Sequence, residues 1–237
     1  MMKSSDNMEQ VEQRLATIQK QINEACETSN RSVEDITLIA VTKQVSSARA
    51  QSLLDVGIQD LGENRLEGLL EKQEAIKDSV HWHFIGNLQT RKVKELIHTI
   101  DCLHSLDRMS LAKEVNKRAS QPLDCFVQVN VSGEESKSGI TPDEVDEFFE
   151  QLATYENVHV IGLMTMAQNT EDESKIRDTF RSLRELRDRI AAKKYSYAPC
   201  TKLSMGMSND FTIAIEEGAT HIRIGTALAG SESEETE

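Results

Sequence analysis

The chain of 237 residues is poor in aromatic side chains and has no long hydrophobic stretch. Aromatics make up 4% of it, so the bases of a nucleic acid would find few rings on which to stack. No uninterrupted apolar run approaches the length of a bilayer span, and the polar residues 1–6 lack the apolar core of a secretory signal. These absences argue against a membrane or secreted protein and predict a cytoplasmic one.

Basic charge is also scarce. The formal net charge is -13, with 40 acidic residues against 27 basic ones, so no overall field attracts nucleic acid or an anionic membrane. The four cysteines, Cys26, Cys102, Cys125 and Cys200, form no C-x-x-C pair. We interpret them as packed, reduced thiols, which agrees with a cytoplasmic location.

Strand-like and helix-like segments alternate along almost the whole chain. The predicted strands are 36–42, 58–62, 81–86, 100–104, 123–131, 158–164, 200–204 and 220–224. Several are apolar without strict alternation, as in parallel strands covered on both faces. This pattern predicts an α/β fold, a single (β/α)8 barrel of the TIM type. A doubly wound open sheet is the structural alternative, although no G-x-G-x-x-G follows the first strand, so its dinucleotide-binding version has no support.

The two ends of the chain carry different expectations. Residues 7–29 have apolar side chains at helical spacing and predict an extra N-terminal helix, which would cover the place of a missing eighth outer helix. Residues 231–237 are acidic and polar and predict a disordered tail. Residues 1–230 are therefore interpreted as a single domain.

One lysine and two glycine-containing segments suggest a cofactor. Lys43 follows the apolar strand 36–42 and has no obvious partner for its charge. We expect it to be buried, and burial favours the free amine that forms an imine with an aldehyde. Segments 203–208 and 222–226 combine glycine with hydroxyl side chains, which suits a phosphate. An amine for an aldehyde and a cradle for a phosphate together suggest pyridoxal 5'-phosphate (PLP).

Each of these residues also has a simpler interpretation. Lys43 could be a strand-end lysine that reaches solvent, and His83 could be an interior histidine with satisfied hydrogen bonds. His81 and His83 share a strand face and could bind a metal, but no third ligand follows at a suitable spacing, so no metal site is expected.

Ordered segments along the chain resemble one known family. They are residues 40–43, 62–64, 82–89, 104–107, 128–132, 137–139, 162–164, 203–210 and 222–227. The chain resembles the YggS/PROSC family of pyridoxal phosphate homeostasis proteins, which share the fold of the N-terminal barrel of alanine racemase. The resemblance spans residues 36–230.

The resemblance implies roles for particular residues. Lys43 would carry PLP as a Schiff base, and Arg223 would face the pyridine nitrogen and keep it unprotonated. The implied phosphate contacts are Ser204, Gly206, Gly225 and Thr226. The implied contacts around the ring are Asn64, His83 and Met164.

The resemblance also implies a function in intracellular PLP (vitamin B6) homeostasis, with no robust catalytic turnover. The expected protein is a monomer whose partners are PLP and PLP-requiring apo-enzymes. The alternative is an amino-acid racemase of the alanine racemase type. Such racemases use a second domain and a tyrosine base, whereas Tyr155, Tyr195 and Tyr197 are predicted to lie away from the barrel mouth. A phosphosugar enzyme would leave Lys43 without its aldehyde.

Overall fold

Eight parallel strands form a closed barrel in the computed structural model, which describes residues 2–232 and the side chains from residue 7 onward. The strands are β1 (Thr37–Val41), β2 (Asp60–Glu63), β3 (His81–Phe84), β4 (Cys102–Leu106), β5 (Leu123–Gln128), β6 (Val158–Met164), β7 (Lys202–Ser204) and β8 (His221–Ile224). They neighbour one another in sequence order, and β8 pairs with β1 to close the sheet. The predicted α/β barrel is confirmed.

Helices surround the barrel and follow the strands. They are α1 (Met2–Thr28), α2 (Ser47–Asp55), α3 (Leu66–Ala75), α4 (Val93–Leu96), α5 (Met109–Arg118), α6 (Val145–Gln151), α7 (Glu173–Ala191), α8 (Phe211–Glu216) and α9 (Thr226–Ala229). No helix within residues 2–232 is long and apolar enough to cross a membrane.

The main hydrophobic core lies between the strands and the helices. α7 illustrates how the sequence builds it, because Ile176, Phe180, Leu183 and Ile190 recur at helical spacing and are all buried. The four cysteines are free and buried, and burial raises the pKa of the Cys200 thiol to about 12. The prediction of unpaired, packed thiols is confirmed.

The long first helix fills a gap in the outer layer. α9, which follows the last strand, has only 4 residues. α1 packs against α8, α9 and α2, and it buries Val11, Ile18 and Ile22. The N-terminal helix therefore covers the barrel where an eighth full-length outer helix would lie, as expected from the sequence.

Part of the predicted tail is held against the barrel. Glu232 accepts hydrogen bonds from the backbone N–H of Ser46 at 3.1 Å and from the Ser46 hydroxyl, at the start of α2. Residues 233–237 lie outside the described residues, and their disorder stays a prediction.

Candidate functional site

A cavity of about 1020 Å³ lies at the carboxyl ends of the barrel strands. Among the predicted site residues, it is lined by Lys43, Asn64, Arg223, Gly225 and Thr226. These residues follow β1 and β2 or lie in and after β8, so three strand ends bring them together. The carboxyl ends of the strands are where barrel enzymes place their sites. This cavity is the candidate functional site.

Lys43 is exposed at the cavity wall, so the expectation that it is buried is wrong. β1 ends at Val41, and Lys43 lies in the loop that follows rather than in the strand. Among the side chains that the structure describes, none forms a hydrogen bond or ion pair with Lys43. Its amine is therefore open to a small molecule in the cavity.

A buried ion pair supports the residue before Lys43. Lys72 Nζ on α3 lies 2.8 Å from Glu63 Oε1, and the two side chains are 5% and 1% exposed. The hydroxyl of Thr42 donates to the same Glu63 oxygen across 2.7 Å. Glu63 therefore has a structural role and anchors the backbone from which Lys43 projects.

Arg223 is the other cation of the cavity, and it is almost completely buried. Its Nη1 donates to Ser204 Oγ across 2.5 Å, and its Nη2 donates to the carbonyl of Thr165 across 3.1 Å. Burial lowers the pKa of Arg223 to about 10, although the nearby Asp210 acts in the opposite direction. The guanidinium remains charged at neutral pH, and both of its ends are tethered.

Asn64 lines the cavity and has an unsatisfied, buried acceptor. Its Oδ1 is buried and has no hydrogen-bond partner among the described groups. The backbone of Asn64 is held closely, since a Cβ at Gly86 would come within 2.1 Å of the Asn64 carbonyl oxygen. A buried acceptor without a donor is costly, so a donor brought to Asn64 Oδ1 would stabilise this site.

Gly225 and Thr226 form an open recess where α9 begins. A Cβ at Gly225 would meet no heavy atom nearer than Val41 Cβ at 3.9 Å, so the missing side chain leaves space. The first N–H groups of a helix have no partner within the helix. The recess therefore offers backbone donors and a hydroxyl, which suit an anionic group.

The remaining predicted contacts do not line the cavity. Ser204 is fully buried, and its hydroxyl already contacts Arg223 and His104 Nδ1, the latter at 2.8 Å. Gly206 has a φ of +100°, and its carbonyl accepts from the Arg223 N–H across 3.0 Å. Both residues therefore support Arg223 from behind, because the turn after β7 directs them inward.

The predicted ring contacts His83 and Met164 lie inside the barrel. Met164 is fully buried and packs with Cys102 and Phe126. His83 is 5% exposed, and its Nε2 lies 2.8 Å from Asp60 Oδ1. The simpler interpretation of His83, an interior histidine with satisfied hydrogen bonds, describes its surroundings.

A metal-type cluster arises from residues distant in the sequence. His83, Cys102 and His104 place ligand atoms within 4.8 Å of one another, whereas His81 has a largely exposed side chain. The facing ring nitrogens of His83 and His104 are already hydrogen-bonded at 2.9 Å. Burial holds the pKa of the Cys102 thiol well above its usual range, so the thiolate that a metal prefers is disfavoured. We assign no metal to this cluster.

The structure adds cavity residues that the sequence interpretation missed. Ser208, Asn209 and Asp210 line the cavity, and burial raises the pKa of Asp210. Segment 203–208 is expected from the sequence to suit a phosphate, but within it only Ser204 and Gly206 were given individual roles, and Asn209 and Asp210 lie beyond it. The turn at Gly206 could have indicated that the residues after it face the opening.

Tyrosines are not part of the cavity wall. The structure describes all 3 tyrosines, and none of them lines the cavity. Tyr195 and Tyr197 stack with ring centroids 5.1 Å apart, and the Tyr197 hydroxyl donates to the Phe149 carbonyl across 2.9 Å. The prediction that tyrosines lie away from the mouth is confirmed.

Comparisons with known proteins match the chain, over most of its length, to one family model and to relatives that share one name. The family model named "Alanine racemase, N-terminal domain" matches residues 14–233. The pyridoxal phosphate homeostasis protein of Aquifex aeolicus is 44% identical over 222 residues, which cover 92% of this chain and 96% of that protein. The protein of the same name from Pseudomonas aeruginosa is 34% identical over 228 residues, 94% of this chain and 96% of that protein.

Solved structures share the fold. PipY of Synechococcus elongatus with PLP bound has a TM-score of 0.81 and 27% identity, and the match covers 93% of this chain and 100% of PipY. Alanine racemase of Corynebacterium glutamicum has a TM-score of 0.72 and 16% identity, over 93% of this chain and 61% of the racemase. At that identity the racemase supports the barrel fold alone.

Proposed function

The chain belongs to the family of the alanine racemase N-terminal domain, and we propose that it binds PLP in the described cavity and serves PLP homeostasis. The observation that carries the proposal is the grouping of an unpaired amine, a tethered guanidinium and an anion recess in one cavity. The names of the relatives and the PLP bound to PipY point to the same ligand.

Each of the cavity residues would contact a different part of PLP. Lys43 would hold the cofactor covalently as a Schiff base, and Arg223 would donate a hydrogen bond to the acceptor nitrogen of the ring. Asn64 Oδ1 would accept a hydrogen bond from a donor group of the ligand and so gain the partner it lacks. When bound, PLP supplies an aldehyde for amine condensation and an electron-accepting ring.

For the phosphate we propose a revised set of contacts. Gly225 and Thr226 remain, and Ser208 on the facing loop takes the role predicted for Ser204. Ser208 lines the cavity, whereas the Ser204 hydroxyl is occupied by Arg223 and His104. A charged phosphate gains strongly from such donors, because charge-assisted hydrogen bonds exceed neutral ones.

A single experiment tests the covalent site. The purified protein is loaded with PLP, its visible spectrum is recorded, and borohydride then fixes the adduct for peptide mapping. We expect the label on Lys43 and no label in Lys43→Arg, which keeps the charge but lacks a primary amine. Lys202→Ala, at the other end of the barrel, is the matched control and should label like the wild type. Labelling of a different lysine would contradict the proposal.

We further propose that the protein has no robust catalytic turnover. A racemase of the alanine racemase type uses a tyrosine as its second base, and none of the tyrosines lines this cavity. The matched relatives are named as homeostasis proteins. Exchange of the α-hydrogen of alanine in heavy water tests this, with Lys43→Ala as control. Turnover above about 1 per second would favour the racemase alternative.

A cytoplasmic location, a monomeric state and delivery of PLP to apo-enzymes complete the proposal. The unpaired cysteines support the first of these, since they suit a reducing compartment.

A further inference from the structure

A hydrogen-bonded chain of polar side chains crosses the interior of the barrel behind Arg223. Arg223 Nη1 contacts Ser204 Oγ at 2.5 Å, and Ser204 Oγ lies 2.8 Å from His104 Nδ1. His104 Nε2 lies 2.9 Å from His83 Nδ1, and His83 Nε2 lies 2.8 Å from Asp60 Oδ1. Barrel interiors are usually filled by branched apolar side chains, so a continuous polar chain here calls for a function.

The two ends of this chain determine its direction. A guanidinium can only donate, so the Ser204 oxygen accepts from Arg223 and its own hydrogen is free for His104 Nδ1. His104 then carries its proton on Nε2 and donates it to His83 Nδ1. His83 likewise carries its proton on Nε2 and donates to the Asp60 carboxylate. Every link is satisfied while both histidines are neutral.

The reverse direction fails at both ends. If His104 donated to Ser204, the serine hydrogen would lose the acceptor that the chain provides. If His83 donated towards His104 while neutral, its Nε2 lone pair would face the Asp60 carboxylate. Ser204 and His104 are fully buried, and an unmade hydrogen bond there carries the full desolvation cost. The aligned dipoles also run from a cation to an anion, which strengthens each link.

We propose that Asp60, His83, His104 and Ser204 form a one-way hydrogen-bonded chain that positions Arg223 in the cavity, with both histidines neutral and protonated at Nε2. Asp60 begins β2 at the opposite end of the barrel, and its side chain is 19% exposed. The chain thus links an acid on the amino-terminal face to the cation that faces the ligand. These are positioning residues, since they act on the ligand only through Arg223.

The first test measures the protonation of the histidine rings in the protein without added ligand. Long-range ¹H–¹⁵N spectra at pH 7 distinguish the tautomers of the 6 histidines, and His104 is assigned through its stack on Phe126 at 4.6 Å. We expect His83 and His104 to be neutral with the proton on Nε2. A doubly protonated His83, or a proton on Nδ1 of either ring, would overturn the proposal. This test requires no variant and does not depend on the proposed function.

The second test measures the effect on the ligand and rests on the proposed function. Binding of PLP is compared with binding of an analogue that has carbon in place of the ring nitrogen. We expect the wild type to prefer PLP by about tenfold or more, which corresponds to one hydrogen bond of about 1.4 kcal/mol. In Ser204→Ala, Arg223 loses one of its two anchors and keeps only the Thr165 carbonyl, so the preference should fall severalfold.

Ser105 provides a control that separates the positioning of Arg223 from a general disturbance of the barrel interior. Ser105 is also buried on β4, and its hydroxyl has no partner among the described groups. Ser105→Ala should keep the wild-type preference. An unchanged preference for PLP in Ser204→Ala, or an equal loss of preference in Ser105→Ala, would contradict the proposal that Ser204 positions Arg223. A wild type that binds neither compound would instead refute the proposed function and leave the tautomer result standing.

Discussion

Lys43 and Arg223 carry the same charge in the same cavity but have opposite surroundings. Lys43 is exposed and has no partner among the described side chains, whereas Arg223 is 3% exposed and tethered at both ends of its guanidinium. An amine that must attack an aldehyde needs freedom to move and to lose its proton. A group that recognises a fixed atom needs a fixed orientation. The cavity therefore separates a free cation from a tethered one.

Each cation is also supported by a different kind of buried polar group. Behind Lys43 lies the ionic Lys72–Glu63 pair, which holds the Thr42 hydroxyl. Behind Arg223 lies the chain of neutral histidines. The ionic support fixes the backbone and leaves the Lys43 side chain free, whereas the neutral chain fixes the Arg223 side chain itself. The following predictions test this difference.

Breaking the buried Lys72–Glu63 ion pair should have the largest effect on stability. Lys72→Met leaves Glu63 as a buried charge without its partner, and we expect the free energy of unfolding to fall by about 3–5 kcal/mol. Urea unfolding measures this change. Lys92→Met is the matched control, because Lys92 pairs with the exposed Glu67 at 3.3 Å and should show little change. Equal effects of the two variants would contradict a special role for the buried pair.

Acid should lower the stability of the protein through the buried histidines behind Arg223. Burial holds the pKa of His104 well below its usual range and lowers the pKa of His221, beside it, to about 3. In the unfolded chain both groups titrate near about 6.5, so below that pH the unfolded state binds more protons and stability falls as pH falls.

The expected slope is up to about 1.4 kcal/mol per pH unit for each histidine. Urea unfolding between pH 7 and pH 5 measures this slope. In the His221→Gln variant the slope should be smaller, because the contribution of one histidine is missing. A wild type whose stability is independent of pH over this range would show that the interior histidines are not held neutral.

Removing one hydroxyl should have a moderate effect on Lys43. Thr42→Val deletes the hydrogen bond to Glu63 and should lower the free energy of unfolding by about 1 kcal/mol. It should also slow borohydride trapping of PLP, because the backbone before Lys43 loses its anchor. Thr42→Ser keeps the hydroxyl and should behave like the wild type. If the valine and serine variants trap PLP equally, the anchor does not matter for Lys43.

The smallest change in stability is expected at Lys43, the proposed site of the Schiff base. Lys43 contributes no ion pair or hydrogen bond among the described side chains, so Lys43→Ala should alter the free energy of unfolding by less than about 0.5 kcal/mol. Thermal unfolding without PLP measures this. A large loss of stability would mean that Lys43 has a structural partner and that its side chain is not free, in contrast to the comparison with Arg223.

Local patterns were sufficient to predict the barrel and the part of the site that lies directly after its strands. Strand-like segments predicted all eight strands, and the helical spacing of apolar side chains in residues 7–29 predicted α1. Lys43 and Thr226 were predicted from local segments and Asn64 from the family resemblance, and all three follow strands whose ends meet at one face. Parallel strands make this inference possible, since every carboxyl end points the same way.

The surroundings of those residues were not predictable in the same way. Burial was expected for Lys43 because its strand is apolar, but β1 ends two residues earlier, at Val41, and the loop opens to solvent. Ser204 and Ser208 are equivalent as residue types, and only the turn at Gly206 decides which faces the cavity. Burial depends on where neighbouring loops lie, which no short segment records.

The sequence by itself determined the order of strands and helices and the positions of Lys43 and the glycine loops, because these depend on neighbours along the chain. Only the tertiary structure decided that His83, His104 and Ser204 meet inside the barrel, although Ser204 lies 100 residues after His104. Hydrogen bonds between side chains on β3, β4 and β7 depend on barrel closure and strand register. That closure gives Arg223 its fixed position and leaves Lys43 free at the mouth.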